Sequence, residues 1–344
     1  LQEYRKNKED NDLGKSYIGI INIDGNQMGE IVNKIESFDE LKSFGRWIER
    51  VYFHAVSEAL KDIGDPALHV TPIVMAGDDI CLITNAEYAL ELADKIVRNI
   101  MHFSQVSSEG EPGSLSELTL MSSIADKMKS LGLHYLSACA GVAITRITYP
   151  FYESVKAAES MCSAAKEAIH HVYQTDEGGT MPSMIDWEIV LGQIDPAERY
   201  EKMVQRPNLT EQFHLKPLQI MREEEESAMS FSSFYQLTQL LIKDLEDGEI
   251  SHTVLEKVRR AAYSGPDAYR WLFQSEQTDQ LQRLMDHVNQ YFPNSNLDAV
   301  APFMKDEGEK ITYLLHDVLE ILPYMRGYWT GESERKGVEE HAAP

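Results

Sequence analysis

The chain has 344 residues, enough for about two domains at ~150 residues each. With 43% hydrophobic and 26% charged residues it has the make-up of a folded globular protein, which excludes disorder as the main state. The charge is unusual: 32 Lys+Arg against 56 Asp+Glu give −24 and a pI near 4.8. That excludes a broadly basic nucleic-acid binder and suits carboxylates that hold divalent cations.

Both halves share the deficit, so no acidic tail accounts for it. Cys81, Cys139 and Cys162 lack CxxC spacing, which argues against a zinc site or a disulfide framework. Buried free thiols in a reducing cytoplasm are the expectation. No apolar run approaches the ~18 residues of a membrane span, and no signal peptide is visible, so no membrane partner is expected.

Residues 1–16 are charged and aperiodic and read as a linker. Tyr17 to Ile23 is a β-branched apolar run, hence a buried strand, ending in the turn formers Asp24-Gly25-Asn26-Gln27-Met28-Gly29. Helical spacing predicts a helix from Phe38 to Ile63, stopped at Gly64-Asp65-Pro66. His69 to Met75 and Ile80 to Thr84 are apolar runs joined by Ala76-Gly77-Asp78-Asp79, the pattern of a β-hairpin.

A helix over 86–103, a Ser/Gly/Glu-rich loop over 104–116 and a short helix over 117–130 follow. Leu136 to Thr145 reads as a buried strand, 151–172 as a helix opened by Pro150, and Met184 to Leu191 as a further strand. The order predicts an α+β fold. Residues 17–194 are expected to form a ferredoxin-like domain (βαββαβ) with a four-stranded antiparallel sheet and helices on one face. From 195 to 344, apolar residues recur at helical spacing over 231–245, 252–263, 267–274, 277–291 and 310–327. That segment is expected to be an all-helical domain. The glutamates 223–226 read as a solvated helix turn.

In a βαββαβ sheet the first strand and the central hairpin are neighbours. Asp24 and the Asp78-Asp79 turn then face one another, and three converging carboxylates call for cations. Two Mg2+ or Mn2+ ions are the expected remedy, able to activate a 3′-hydroxyl and steady leaving pyrophosphate. The backbone of Gly25–Gly29 is placed to face a triphosphate, and Lys166 on the helix after the fourth strand to reach its phosphates. The remaining residues read plainly: His54 and His69 as packed or surface groups, Trp187, Trp271 and Trp329 as anchors, Met28 as packing. The pair Arg259-Arg260 is a surface feature with RNA contact as the alternative.

Several segments resemble the polymerase-like large subunit of type III CRISPR effector complexes. The strand with Ile23-Asp24-Gly25-Asn26-Gln27-Met28-Gly29 is similar to that family's D-G-D/N-x-x-G segment, and Ala76-Gly77-Asp78-Asp79 to its GGDD signature. Ser137 to Ile144 resembles its S-x-G-(I/V)-A-I strand. Ala157-Ala158-Glu159 with Ala164-Ala165-Lys166 resembles the A-E…A-K helix after it, and Arg206-Pro207 an R-P-Y element.

The resemblance implies that the ferredoxin-like domain over 17–194 is a palm of nucleotidyl cyclase type, one that joins ATP into cyclic oligoadenylates and releases pyrophosphate with two divalent metals. Asp24, Asp78 and Asp79 would be the catalytic carboxylates, with Ile23 beside them in the metal-holding set. Gly25, Asn26, Gln27, Met28, Gly29, Gly77 and Lys166 would bind the nucleotide. Two positions depart from the family: Ala76 replaces the first glycine of GGDD, and Asn26 stands at the third position of D-G-D, so one potential carboxylate is a neutral amide.

No His-Asp pair precedes Asp24, so the chain reads as a piece of such a subunit or as a stand-alone minimal palm. The partners implied are a second palm, or a second copy in a homodimer, with crRNA effector subunits and target RNA as further candidates. A diguanylate cyclase is the sister reading, against which the turn reads A-G-D-D-I rather than G-G-(D/E)-E-F. A non-catalytic scaffold subunit is the reading from another class.

Overall fold

The computed structural model describes residues 17–61, 70–106, 120–172, 179–190, 211–222, 230–276, 278–292, 297–305 and 310–325. The linker 1–16, the Gly64-Asp65-Pro66 stop, His69, most of the 104–116 loop, Arg206-Pro207, the glutamates 223–226 and Trp329 lie outside them. The chain divides into two compact units. One takes in the described residues within 16–191 and 217–225, the other those within 192–216 and 226–344.

The first unit is organised around β1 (Tyr17–Gly25), whose apolar residues are buried along both faces as a central strand demands. It is flanked by β3 (Asp79–Asn85) and β4 (Ala138–Arg146), antiparallel to both. β2 (Val70–Ala76) pairs with β3, and β5 (Ser183–Val190) runs parallel to β4. The order β2-β3-β1-β4 is that of the expected palm. The sheet nevertheless has six strands rather than four, because β5 and β7 (Leu218–Ile220) extend it beyond β4.

Alternation along the strands separates the two faces. Gly19 abuts Ala89 of α3 (Ala86–Phe103), and α2 (Phe38–Leu60) lies against α3 on that side. Ile20, on the other face, packs with Ala143 and with Ala158 of α5 (Phe151–Val172). Helices therefore cover both faces, which corrects the one-face expectation. The extra helix α5 supplies the second cover, as the parallel step from β4 to β5 requires a crossover.

A short helix, α1 (Met28–Lys34), occupies part of the expected turn region. Gln27 adopts a left-handed backbone at φ 58°, and its carbonyl accepts the N–H groups of Glu30 and Ile31. Ile31 is its one buried residue, so no apolar period announces it. The short helix expected over 117–130 is seen as α4 (Ser122–Ser130).

The second unit contains α6 (Phe231–Glu246), α7 (His252–Ser264), α8 (Pro266–Ser275), α9 (Asp279–Tyr291) and α10 (His316–Met325). Serine or threonine caps three of them, with Ser230, Ser251 and Thr278 each accepting a first-turn N–H. The all-helical expectation needs one amendment. β6 (Glu211–Gln212), β8 (Phe303–Lys305) and β9 (Ile311–Tyr313) form a small three-stranded sheet. β9 takes the first part of the segment expected to be helical from 310, and strands of two or three residues are too short to show an alternating period. No helix among the described residues is long and apolar enough to cross a membrane.

Candidate functional site

The acids meet where β1 ends and β3 begins. Asp24 and Asp79 are direct partners in the β1/β3 ladder, and Cys139 is the partner of Asp24 on the β4 side. Like charges directly opposite one another weaken a strand pair. Asp78 sits in the hairpin turn next to them. Ala76 pairs with Asp79, leaving Gly77-Asp78 as a two-residue loop. Gly77 takes φ 65° at its first central position, where a tight hairpin of this kind wants glycine. Ala76 needs no such freedom, so the departure from GGDD costs the turn nothing.

Gly25 brings the turn and the strand end together. A Cβ there would lie 3.0 Å from the Asp78 Cβ, 2.8 Å from the Tyr52 hydroxyl and 2.6 Å from the Met28 Cε. Lys166 arrives from the face opposite α2. A Cβ at Gly141 would fall 2.1 Å from the Ala158 carbonyl oxygen and 2.2 Å from the Cys162 nitrogen, so α5 rides directly on β4. One turn beyond Cys162, the Lys166 ammonium reaches Asp24 Oδ2 at 2.7 Å and donates to the Gly25 carbonyl at 3.0 Å.

Electrostatics at this end are dominated by negative charge. Burial first, then the Asp24 carboxylate, hold the Asp78 carboxyl above its ordinary value, with Lys166 opposing. Burial, Asp24, Asp78 and Glu159 do the same to Asp79. Asp24 remains half-exposed and Asp79 exposed, so the group is open to a ligand. A cluster short of positive charge at a sheet end fits divalent cations in the space between the carboxylates. The thiols take no part: burial pushes Cys81 and Cys139 up to about 11 and Cys162 up to about 12.

The structure separates the expected nucleotide-binding residues into two kinds. Gly25, Gly77 and Lys166 lie with the three acids, and Gly29 is exposed with open space around it. Asn26 is buried, and its side-chain amide donates to Ser137 Oγ at 3.1 Å and the Pro182 carbonyl at 3.2 Å. Its own N–H donates to the Ser137 carbonyl. Gln27 donates from Nε2 to the Gly179 carbonyl and accepts the Met181 N–H at Oε1. Both side chains thus hold the loop's shape through bonds within the protein. Met28 packs beside Gly25, and Ile23 is fully buried between Ile80 of β3 and Ala140 of β4, with an aliphatic side chain that offers no ligand atom.

Sequence reasoning missed Tyr52. Its hydroxyl is buried beneath Gly25 and has no hydrogen-bond partner among the described residues. Burial, Asp78 and Asp24 keep the phenol neutral, well above its usual range. A tyrosine among the apolar positions of α2 was the available signal.

A family model for the second palm domain of Cas10/Cmr2 matches residues 17–171. No curated protein matches the chain in sequence. Among solved structures, the active GGEEF domain of a diguanylate cyclase from Vibrio cholerae is 13% identical over 45% of this chain and 79% of that one, with a TM-score of 0.29. A chain of the Csm1-Csm4 cassette in complex with pppApA is 13% identical over 92% of this chain and 37% of that one, at a TM-score of 0.43. The same cassette in complex with cA4 gives 13%, 92%, 38% and 0.40. The chain spans well under half the length of those cassette chains. The central strands, the acidic turn and the family match fall on the same residues, so the stretch 17–171, just under half of the chain, is similar to the second palm domain of Cas10/Cmr2, and the chain carries a Cas10-like palm.

Proposed function

We propose that the palm unit is a metal-dependent nucleotidyltransferase that condenses ATP into a cyclic oligoadenylate-type product and releases pyrophosphate, in type III CRISPR or related anti-phage defence. The observation that carries this reading is the cross-strand pairing of Asp24 with Asp79, with Asp78 at the adjoining turn and Lys166 on Asp24.

Asp24, Asp78 and Asp79 hold two divalent cations, with Ile23 beside them. Bound Mg2+ or Mn2+ would supply charge neutralisation at the phosphates and a lowered pKa for an attacking 3′-hydroxyl. Lys166 contributes a point charge to phosphate oxygens. The stretch Gly25–Gly29 lies along the triphosphate, kept in shape by Asn26 and Gln27 from behind. Gly25 and Gly77 keep Cβ atoms out of the approach. The second nucleotide comes from another palm, either a second copy of this chain or a different palm domain. Other crRNA effector subunits and target RNA are the partners of the wider assembly.

The test is incubation of the chain with labelled ATP or GTP and Mn2+ or Mg2+, alone and with effector subunits and target RNA. Pyrophosphate and a cyclic adenylate product, lost in Asp78→Ala/Asp79→Ala, are expected. Silence with every partner present, alongside co-purifying guide RNA, would replace the enzyme with a scaffold subunit. A product made from GTP alone would replace the substrate.

A further inference from the structure

The second unit carries a cluster that the palm chemistry does not use. His214 follows β6, while His316, Asp317 and Glu320 stand on the first turns of α10. One ligand atom from each of the four lies within 4.8 Å of all the others. The side chains of His316 and Asp317 are fully buried, and His214 is only 21% exposed.

Two imidazole nitrogens converge on one carboxylate oxygen. His214 Nδ1 is 2.5 Å from Asp317 Oδ1, and His316 Nδ1 is 3.9 Å from the same atom. The far atoms of the same groups are held in place. His316 Nε2 meets the Tyr263 hydroxyl at 3.0 Å, and Asp317 Oδ2 accepts the Leu215 N–H at 2.6 Å and the Lys216 N–H at 3.4 Å. Outer partners of this sort orient metal ligands and fix the histidine tautomer. His316 and Glu320 are four residues apart, which sets both on one helix face.

We propose that His214, His316, Asp317 and Glu320 bind one zinc-class divalent transition-metal ion, separate from the palm acids. Two imidazoles with two carboxylates exclude a magnesium preference, because Mg2+ takes oxygen ligands almost entirely. Four protein donors make a closed, structural site. Zn–N bonds of ~2.0–2.1 Å imply ligand-to-ligand edges near ~3.4 Å in a tetrahedron. The cluster reaches that by drawing its widest pair together and parting the His214–Asp317 contact. The ion would staple the 211–216 segment to α10 and supply a counter-charge to the buried Asp317.

The competing arrangement is a metal-free His214–Asp317 hydrogen bond, which is made without Glu320. Glu320→Gln therefore separates the two. The full chain, made without a polyhistidine tag, is stripped with EDTA, dialysed and titrated with zinc chloride by calorimetry. Zinc content of the unstripped protein is measured by mass spectrometry. One equivalent is expected, persisting in Asp78→Asn/Asp79→Asn, with affinity at least tenfold weaker in Glu320→Gln. The apo melting temperature of Glu320→Gln should match that of the parent. Absence of bound zinc, its loss in the palm variant, or an unchanged affinity in Glu320→Gln overturns the proposal.

Discussion

Lys166 Nζ lies 2.7 Å from Asp24 Oδ2 and donates to the Gly25 carbonyl at 3.0 Å, tying α5 to the end of β1. The contact is half-exposed, so its worth to stability is small. Its worth to nucleotide binding is larger on the proposed reading. Lys166→Ala should lower kcat/KM for ATP by ~10–100-fold, in the range of one lost charge-assisted contact of ~1.5–3 kcal/mol. Its melting temperature should stay near that of the parent. Lys166→Arg should recover only part of the rate, since a planar fork replaces a point charge. Steady-state pyrophosphate release checks both.

Asp78 and Asp79 are held above their ordinary values by burial and by their neighbours' charge. A carboxyl raised in the folded state binds more protons there than in the unfolded chain, so stability falls as pH rises through the window from the ordinary value to the raised one. Without divalent cations, Asp78→Asn/Asp79→Asn should melt a few degrees higher than the parent near neutral pH, a gap that narrows on acidification. Added Mn2+ should raise the parent's melting temperature and leave the variant's unchanged. Activity should decline on acidification while the pH is still above the ordinary carboxylate range, because protonation competes with the metal. Thermal melts across pH and a rate profile test these points together.

Asn26→Asp would put a further carboxylate beside Asp24, yet the structure predicts a loss. The Asn26 amide donates to the Pro182 carbonyl, and an ionised carboxylate could not. Leaving buried acceptors unpaired costs ~1–3 kcal/mol. The variant should be less stable by about that amount and bind no additional metal, as denaturant melts and metal titration would show.

Gly25→Ala would press a methyl group against the Tyr52 hydroxyl and the Asp78 Cβ. Overpacking of this kind costs typically ~1–3 kcal/mol. Tyr52→Phe alone removes a buried hydroxyl that has no partner among the described residues, so its stability should equal or exceed the parent's. The double variant should recover part of the Gly25→Ala loss. A double-mutant cycle of melting free energies gives the coupling, and additivity would refute the contact.

The palm's central strands and acidic turn were legible because each signal is local. A β-branched run ending in Asp-Gly makes β1, and Gly-Asp between two apolar runs makes the hairpin. Lys166 was legible through its order after the fourth strand and through the family resemblance. What escaped the sequence depends on distant partners. The role of Asn26 lies in Ser137 and Pro182, more than a hundred residues away. Tyr52 reads as one more core position until the Gly25 turn is laid over it. The second cover of the sheet follows from the parallel step between β4 and β5, which strand patterns do not reveal. β6, β8 and β9 are too short to carry a period at all.

The return of residues 218–220 to the first unit has a practical reading. β7 pairs with β5, its Leu218 and Ile220 are buried, and the Met221 carbonyl accepts from Arg98 of α3. The palm is therefore not a continuous stretch of sequence. A truncation at residue 194 would cut away its sixth strand, expose the edge of β5 to intermolecular pairing, and leave Arg98 without its carbonyl. An excised palm needs residues through 222, whatever is done with the segment between.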